Sequence, residues 1–333
     1  VASGGGPALA AAFRYVVLGT VGASFYLLGV GFLYALTGTL NMADLAQRLP
    51  AQAGSPLFVG GALFITVGLA LKMGLFPLHG WLPDAYTYAP APVAALLPAV
   101  ATKAAAYGLA RILLYVVRPS ELPVTAMLAW AGGASIIVGG VLALRQQDAR
   151  RLLAYSSVSQ MGYVALGLGL ANPAALAGAY LHILNHAMMK AVLFIGVGTM
   201  VLRGRGPGLA TLGLGREMPV TGTCMVVAAL SMVGVPPAGG FFSKWYLLQG
   251  AIEARQPALV VAILVGSLLA LVYMYRLTEA VWFGESSRGG TSAEAPLAVL
   301  IGLVALAVAI IAAGLGNSAI VARLLAPAAA GAL

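Results

Sequence analysis

Four lysines stand in or beside long apolar runs, and they are the only lysines in the chain. Lys72 follows fifteen uncharged residues, LFVGGALFITVGLAL, and is itself followed by the equally apolar MGLFPL. Lys103 sits mid-span between PVAALLPAVAT and AAAYGLA, too deep for its ammonium to snorkel easily to an interface. A centred lysine costs about 2.5–3.5 kcal/mol on insertion scales, and intramembrane ionisable groups mark ion or proton paths by default. In AYLHILNHAMMKAVLF, His182, His186 and Lys190 recur at i, i+4 and i+8. At about 100° per residue these form one stripe rising roughly 12 Å. Lys244 follows the break VGVPPAGGFFS and falls in the first turn of a second half-helix, where burial and the positive end of the helix dipole both disfavour a cation. Histidine titrates near neutrality and a buried lysine can give up its proton, whereas arginine cannot. Lys72, Lys103, His182, His186, Lys190 and Lys244 are therefore the candidate proton relay. The competing readings are interfacial lysines at 72 and 244, and core histidines bonded to backbone or to Asn185.

The elements that must hold these groups are membrane helices. The chain has 333 residues, 61% hydrophobic and 8% charged, against roughly a quarter charged in a soluble domain. Nine segments approach the ~20 residues a bilayer needs: 13–36, 57–79, 93–117, 124–144, 152–171, 174–202, 220–254, 257–282 and 295–315. The short alternating strands of a membrane barrel are absent, so the fold class is an all-α polytopic bundle forming a single transmembrane domain over 1–333. Two segments are interrupted, one by GLFPLHGWLPD with Pro77, the other by VGVPPAGG with Pro236, Pro237, Gly239 and Gly240. Proline breaks the helical ladder, and paired interruptions in corresponding halves point to a transporter site built on repeats. The breaks lie five segments apart. A five-helix repeat is thus expected, with 13–117 the remainder of the first unit, 124–282 the second and 295–315 an extra helix. One helix of the first unit is then missing, and an N-terminally truncated chain is the expectation.

The net charge of +9 lies at helix ends and loops and does not form a nucleic-acid patch. RQQDARR (Arg145, Arg150, Arg151) and RGRGPGLATLGLGR (Arg203, Arg205, Arg216) flank a cation-free ANPAA, which places both basic loops on the cytoplasmic side of the cell membrane. Arg14 and the Gly80–Pro92 loop count to the same side, although that loop carries no Lys or Arg. The single cysteine, Cys224, allows no disulfide within the chain and no Cys metal cluster. The histidines, with His79 in a loop, do not pair as haem ligands. No metal or other cofactor is expected, and no nucleophile elbow or nucleotide loop is present.

The stretch LKMGLFPLHGWLPDAYTYAPAPVAALLPAVATKAAAYGLARIL, with TGTLNMADLA, RRLLAYSSVSQMGY and VGVPPAGGFFSKWYLL, resembles the proton-conducting membrane subunits of respiratory complex I, related hydrogenases and Mrp-type cation/proton antiporters. The resemblance runs from about Phe13 to near residue 283. It implies two inverted five-helix repeats with one broken helix each, and an axis of Lys and His along the membrane plane. It further implies that Lys72 and Lys103 are the lysines of the first broken helix and the next helix, that His186 and Lys190 link two half-channels, and that Lys244 is the charged residue of the second break. In the family the first lysine pairs with a glutamate on a helix preceding Phe13. TGTLNMADLA and PDAYTYAPAPVAALL are more similar to the D-type Mrp subunit, so a monovalent cation (Na+ or K+)/proton antiporter subunit with membrane-protein partners is the expectation. A proton-pumping subunit of a quinone oxidoreductase or hydrogenase stays open, as does a structural subunit with a vestigial path.

Overall fold

A computed structural model describes residues 5–117, 123–203, 206–213, 215–284 and 294–325. All nine predicted segments are helical. In chain order the helices are α1 (Gly5–Thr37), α2 (Met42–Arg48), α3 (Pro56–Met73), α4 (Leu82–Tyr88), α5 (Ala91–Leu96), α6 (Thr102–Ala110), α7 (Pro123–Leu144), α8 (Ala149–Leu170), α9 (Pro173–Leu202), α10 (Pro219–Val233), α11 (Gly239–Glu253), α12 (Pro257–Phe283), α13 (Leu297–Leu315) and α14 (Asn317–Ile320). Wider π-turns at Leu97–Ala101 and Arg111–Val117 carry α5 and α6 into one span. No β-strand is present among the described residues; Asp148 and Gly208 form an isolated bridge.

Seven helical spans among the described residues are long and apolar enough to cross a membrane, so the chain is a multi-pass membrane protein. The other two predicted segments differ for physical reasons. Helix α8 carries Ser156, Ser157, Ser159 and Gln160, which lower its hydropathy, yet all four are fully buried, because the helix runs through the middle of the bundle. Helices α10 and α11 have 15 residues each and make one interrupted segment between them. Bundle helices in lipid associate through small residues that let backbones approach. Helices α7 and α8 meet in this way at Gly132 and Gly162, where an added Cβ would press on the backbone of Leu166 and Ile136.

The two breaks share one construction. Each first half-helix ends in a left-handed glycine, Gly74 at φ 72° and Gly234 at φ 96°. The next amide reaches back along the chain to the preceding turn, Leu75 N to Ala70 O at 3.1 Å and Val235 N to Leu230 O at 3.0 Å, the signature of a Schellman cap. A cis peptide follows at Phe76–Pro77 and at Pro236–Pro237. Polar side chains then satisfy freed backbone groups: Phe76 N donates to Ser135 Oγ (2.9 Å), Gly240 N to Ser231 Oγ (3.2 Å), and Asn185 Nδ2 donates to Gly239 O (2.8 Å).

The basic loops lie on one face of the bundle. Ala149 N donates to Pro207 O and Leu209 N to Gln147 O, both at 2.8 Å, joining the two loops. Asp84 accepts from Arg14 at 2.5 Å and lies 3.4 Å from Arg151, so the Gly80–Pro92 segment, expected as a loop but folded largely as α4, belongs to the same face. Its lack of cations is explained, because α1 and α8 supply them. Arg276 of α12 bonds the carbonyls of Leu144 and Gln146 on that face as well. Arg205 lies outside the described residues.

Candidate functional site

The stripe on α9 is fully buried: His182, His186 and Lys190 are each 0% exposed. The two imidazole rings stack at 5.7 Å between centroids and 17° between planes, as i, i+4 spacing dictates. His182 Nδ1 is 2.9 Å from Ser243 Oγ of α11, while His182 Nε2 and both nitrogens of His186 have no hydrogen-bond partner among the described protein atoms. Lys190 turns towards α8, donating to Leu153 O at 2.7 Å and to Ser156 Oγ at 2.5 Å.

Lys103 opens α6 directly after the π-turn, and its ammonium donates to the carbonyl of Pro98 and to Thr102 Oγ1. That carbonyl lies in the widened turn Leu97–Ala101, where it can solvate the charge. Lys244 lies in the second turn of α11, one turn deeper than the sequence suggests because the helix already begins at Gly239, and its surroundings supply what the sequence could not. Its Nζ crosses the break to the end of α10, donating to Met232 O at 2.8 Å and Val233 O at 3.0 Å. The last carbonyls of a helix lack intrahelical partners and carry the negative end of its dipole. The cation that α11 opposes is thus held by α10.

Five of the six candidate groups form one electrostatic set, since His186 is within charge-interaction range of Lys103, Lys190, His182 and Lys244. Lys72 stands outside it. It lies in the last turn of α3, half-buried, with Nζ so close to α1 that a Cβ on Gly19 would sit 3.2 Å away. The ion pairs among the described residues centre on Asp84, and none of the six relay candidates takes part in them. Pro77, Pro236 and Pro237 occupy the breaks. Gly239 and Gly240 open α11 so tightly that a side chain at either would overlap the Asn185 amide or the Ser231 carbonyl.

Asn185 therefore fixes a break and does not bond a histidine; His182 takes Ser243 as its partner instead. Ser156, Ser243 and Tyr163 are functional candidates beyond the titratable set. The polar run YSSVSQ inside an otherwise apolar segment is the sequence signal for Ser156. Nothing in its local sequence marks Tyr163, whose ring lies 4.9 Å from Lys244 Nζ and 5.5 Å from the His182 ring. The arrangement is a buried string of proton-accepting side chains on α6, α9 and α11, with α8 lining it through the Ser156 hydroxyl and the Tyr163 ring.

Residues 6–270 match the family described as NADH:quinone oxidoreductase/Mrp antiporter, TM. The chain is 44% identical over 341 residues to NADH-quinone oxidoreductase subunit N of Desulforudis audaxviator, covering 98% of this chain and 68% of the relative. It is 30% identical over 278 residues to the D-type Na(+)/H(+) antiporter subunit of Bacillus subtilis, covering 82% of this chain and 55% of the relative. In the solved archaeal membrane-bound sulfane sulfur reductase, a respiratory membrane complex, one chain superposes with a TM-score of 0.88 at 34% identity, covering 98% of this chain and 66% of that one. The chain thus spans 55% to 68% of the length of these relatives. Matched over most of its length, with its buried lysines and histidines strung between two broken helices, the chain belongs to the NADH:quinone oxidoreductase/Mrp antiporter transmembrane family.

Proposed function

We propose that the chain is the antiporter-like, proton-translocating part of a quinone-coupled respiratory complex in the cell membrane, working beside other membrane subunits. The observation that carries the proton assignment is the buried set of Lys103, His182, His186, Lys190 and Lys244, charge-bearing groups without a carboxylate in an ion pair among the described residues. Retaining such groups in a membrane interior costs stability, which argues against a merely structural subunit. At an effective dielectric of ~20, like charges ~6 Å apart repel by roughly 3 kcal/mol, enough to drive a hand-over from one group to the next. The 44% identity over nearly the whole chain supports redox coupling over cation antiport.

The antiport expectation drawn from TGTLNMADLA and PDAYTYAPAPVAALL becomes the second reading, supported by the 30% identity to an antiporter subunit. The first stretch is a helix-capping sequence: Asn41 Oδ1 accepts from Ala43 N and Asp44 N at the start of α2, and Thr39 reaches Asp44. Thr39, Asn41 and Asp44 thus meet local backbone demands at the start of α2.

Everted vesicles carrying the native complex separate the two. Quinone-dependent proton uptake that disappears with Lys103→Ala, in a complex that still assembles, is the expected result. Full uptake in that variant would overturn the relay. Collapse of a pH gradient on adding Na+ or K+, with no quinone dependence, would move the chain to the antiporter branch.

A further inference from the structure

Tyr163 is fully buried on α8, and its ring stands between the α9 stripe and the second break. Its hydroxyl points away from both, donating to Ile263 O of α12 at 3.1 Å and lying 3.4 Å from Ser267 Oγ. Gly266 admits that hydroxyl, since a Cβ there would sit 2.6 Å from it. The anchored ring thus presents its π surface, and not its hydroxyl, to the relay. Lys244 Nζ lies 4.9 Å from the ring centroid. Two of the three ammonium protons serve the Met232 and Val233 carbonyls. His182 packs 5.5 Å from the same ring at an interplanar angle of 42°, and its Nδ1 meets Ser243, the residue next to Lys244.

A cation over an aromatic face is attracted by the ring quadrupole, more strongly in a desolvated site. A lysine between two half-helices in an apolar interior needs such a contact, because the carbonyls alone leave one N–H bond unassigned. We propose that Tyr163 is a positioning residue for proton transfer, whose π face holds the Lys244 ammonium and so sets the rate of passage between the α9 stripe and the second break. The inference rests on the relay reading of Lys244.

The test replaces Tyr163 in the assembled native complex with phenylalanine and then with mono-, di- and trifluorinated phenylalanines. Fluorine drains the negative potential of the ring face while leaving its shape nearly unchanged, so packing is held constant. Proton-translocation rate should fall stepwise with fluorination, by about tenfold across the series, with Tyr163→Leu at the low end. Lys244→Ala is measured alongside. If that variant is inactive and the fluorinated series is flat, the Tyr163 proposal fails and the relay stands. If Lys244→Ala translocates at the full rate, both fail.

Discussion

Lys190 Nζ lies 2.5 Å from Ser156 Oγ, a charge-assisted contact between α9 and α8 with both residues fully buried. A hydrogen bond to a charged group contributes roughly 1.5–3 kcal/mol. Ser156→Ala should leave the fold intact and slow proton translocation by on the order of tenfold, since Lys190 keeps the Leu153 carbonyl as its one hydrogen-bond acceptor among the described residues, with the Phe194 ring 5.9 Å away. Unchanged turnover would show that the hydroxyl is packing only.

Lys244→Arg separates a fixed charge from a proton carrier. The guanidinium can bond both Met232 O and Val233 O but does not release its proton. The variant complex should assemble and be inactive. An active Lys244→Arg complex would mean that this position needs positive charge and carries no proton.

Asp84 ties α1, α4 and α8 together through Arg14 and Arg151, at a face where the Arg14 side chain is 61% exposed. Exposed pairs of this kind contribute about 1 kcal/mol or less. Asp84→Asn should lower the denaturation midpoint of the complex slightly and leave translocation unchanged. Loss of turnover in an intact complex would put Asp84 on the proton path.

Gly240→Ala should destabilise the protein by about 1–3 kcal/mol, because the new methyl meets the Ser231 carbonyl across the second break. Gly302→Ala is the control, since a Cβ there meets nothing within 4 Å. Thermal denaturation of the two variants should differ clearly, and equal midpoints would refute the tight packing of the break.

Charge in an apolar run is visible without coordinates, so Lys103, Lys190 and Lys244 are legible in the sequence, as are the interruptions at Pro77 and Pro236. Periodicity likewise reveals the stripe of His182 and His186. Partnerships between helices are a different matter, because spacing within one helix says nothing about what the next one presents. Lys72 also follows a long apolar run, yet its ammonium packs against Gly19 of α1. Lys244 reads as a cation at the wrong end of a dipole until the carbonyl end of α10 is brought beside it. Tyr163 reads as one more apolar residue, because its role comes from the side chain of Lys244, far along the chain.

The bonding of Lys244 carries a consequence for repeated turnover. An ammonium has three N–H bonds and an amine has two. The carbonyls of Met232 and Val233 require two, so the end of α10 stays capped whether the proton is present or gone. On the proposed relay, the group that would cycle and the scaffold that holds it share one nitrogen, yet the cycle need never unfasten the scaffold. A membrane interior has no solvent to repair a frayed helix end, and here none is required between one proton and the next.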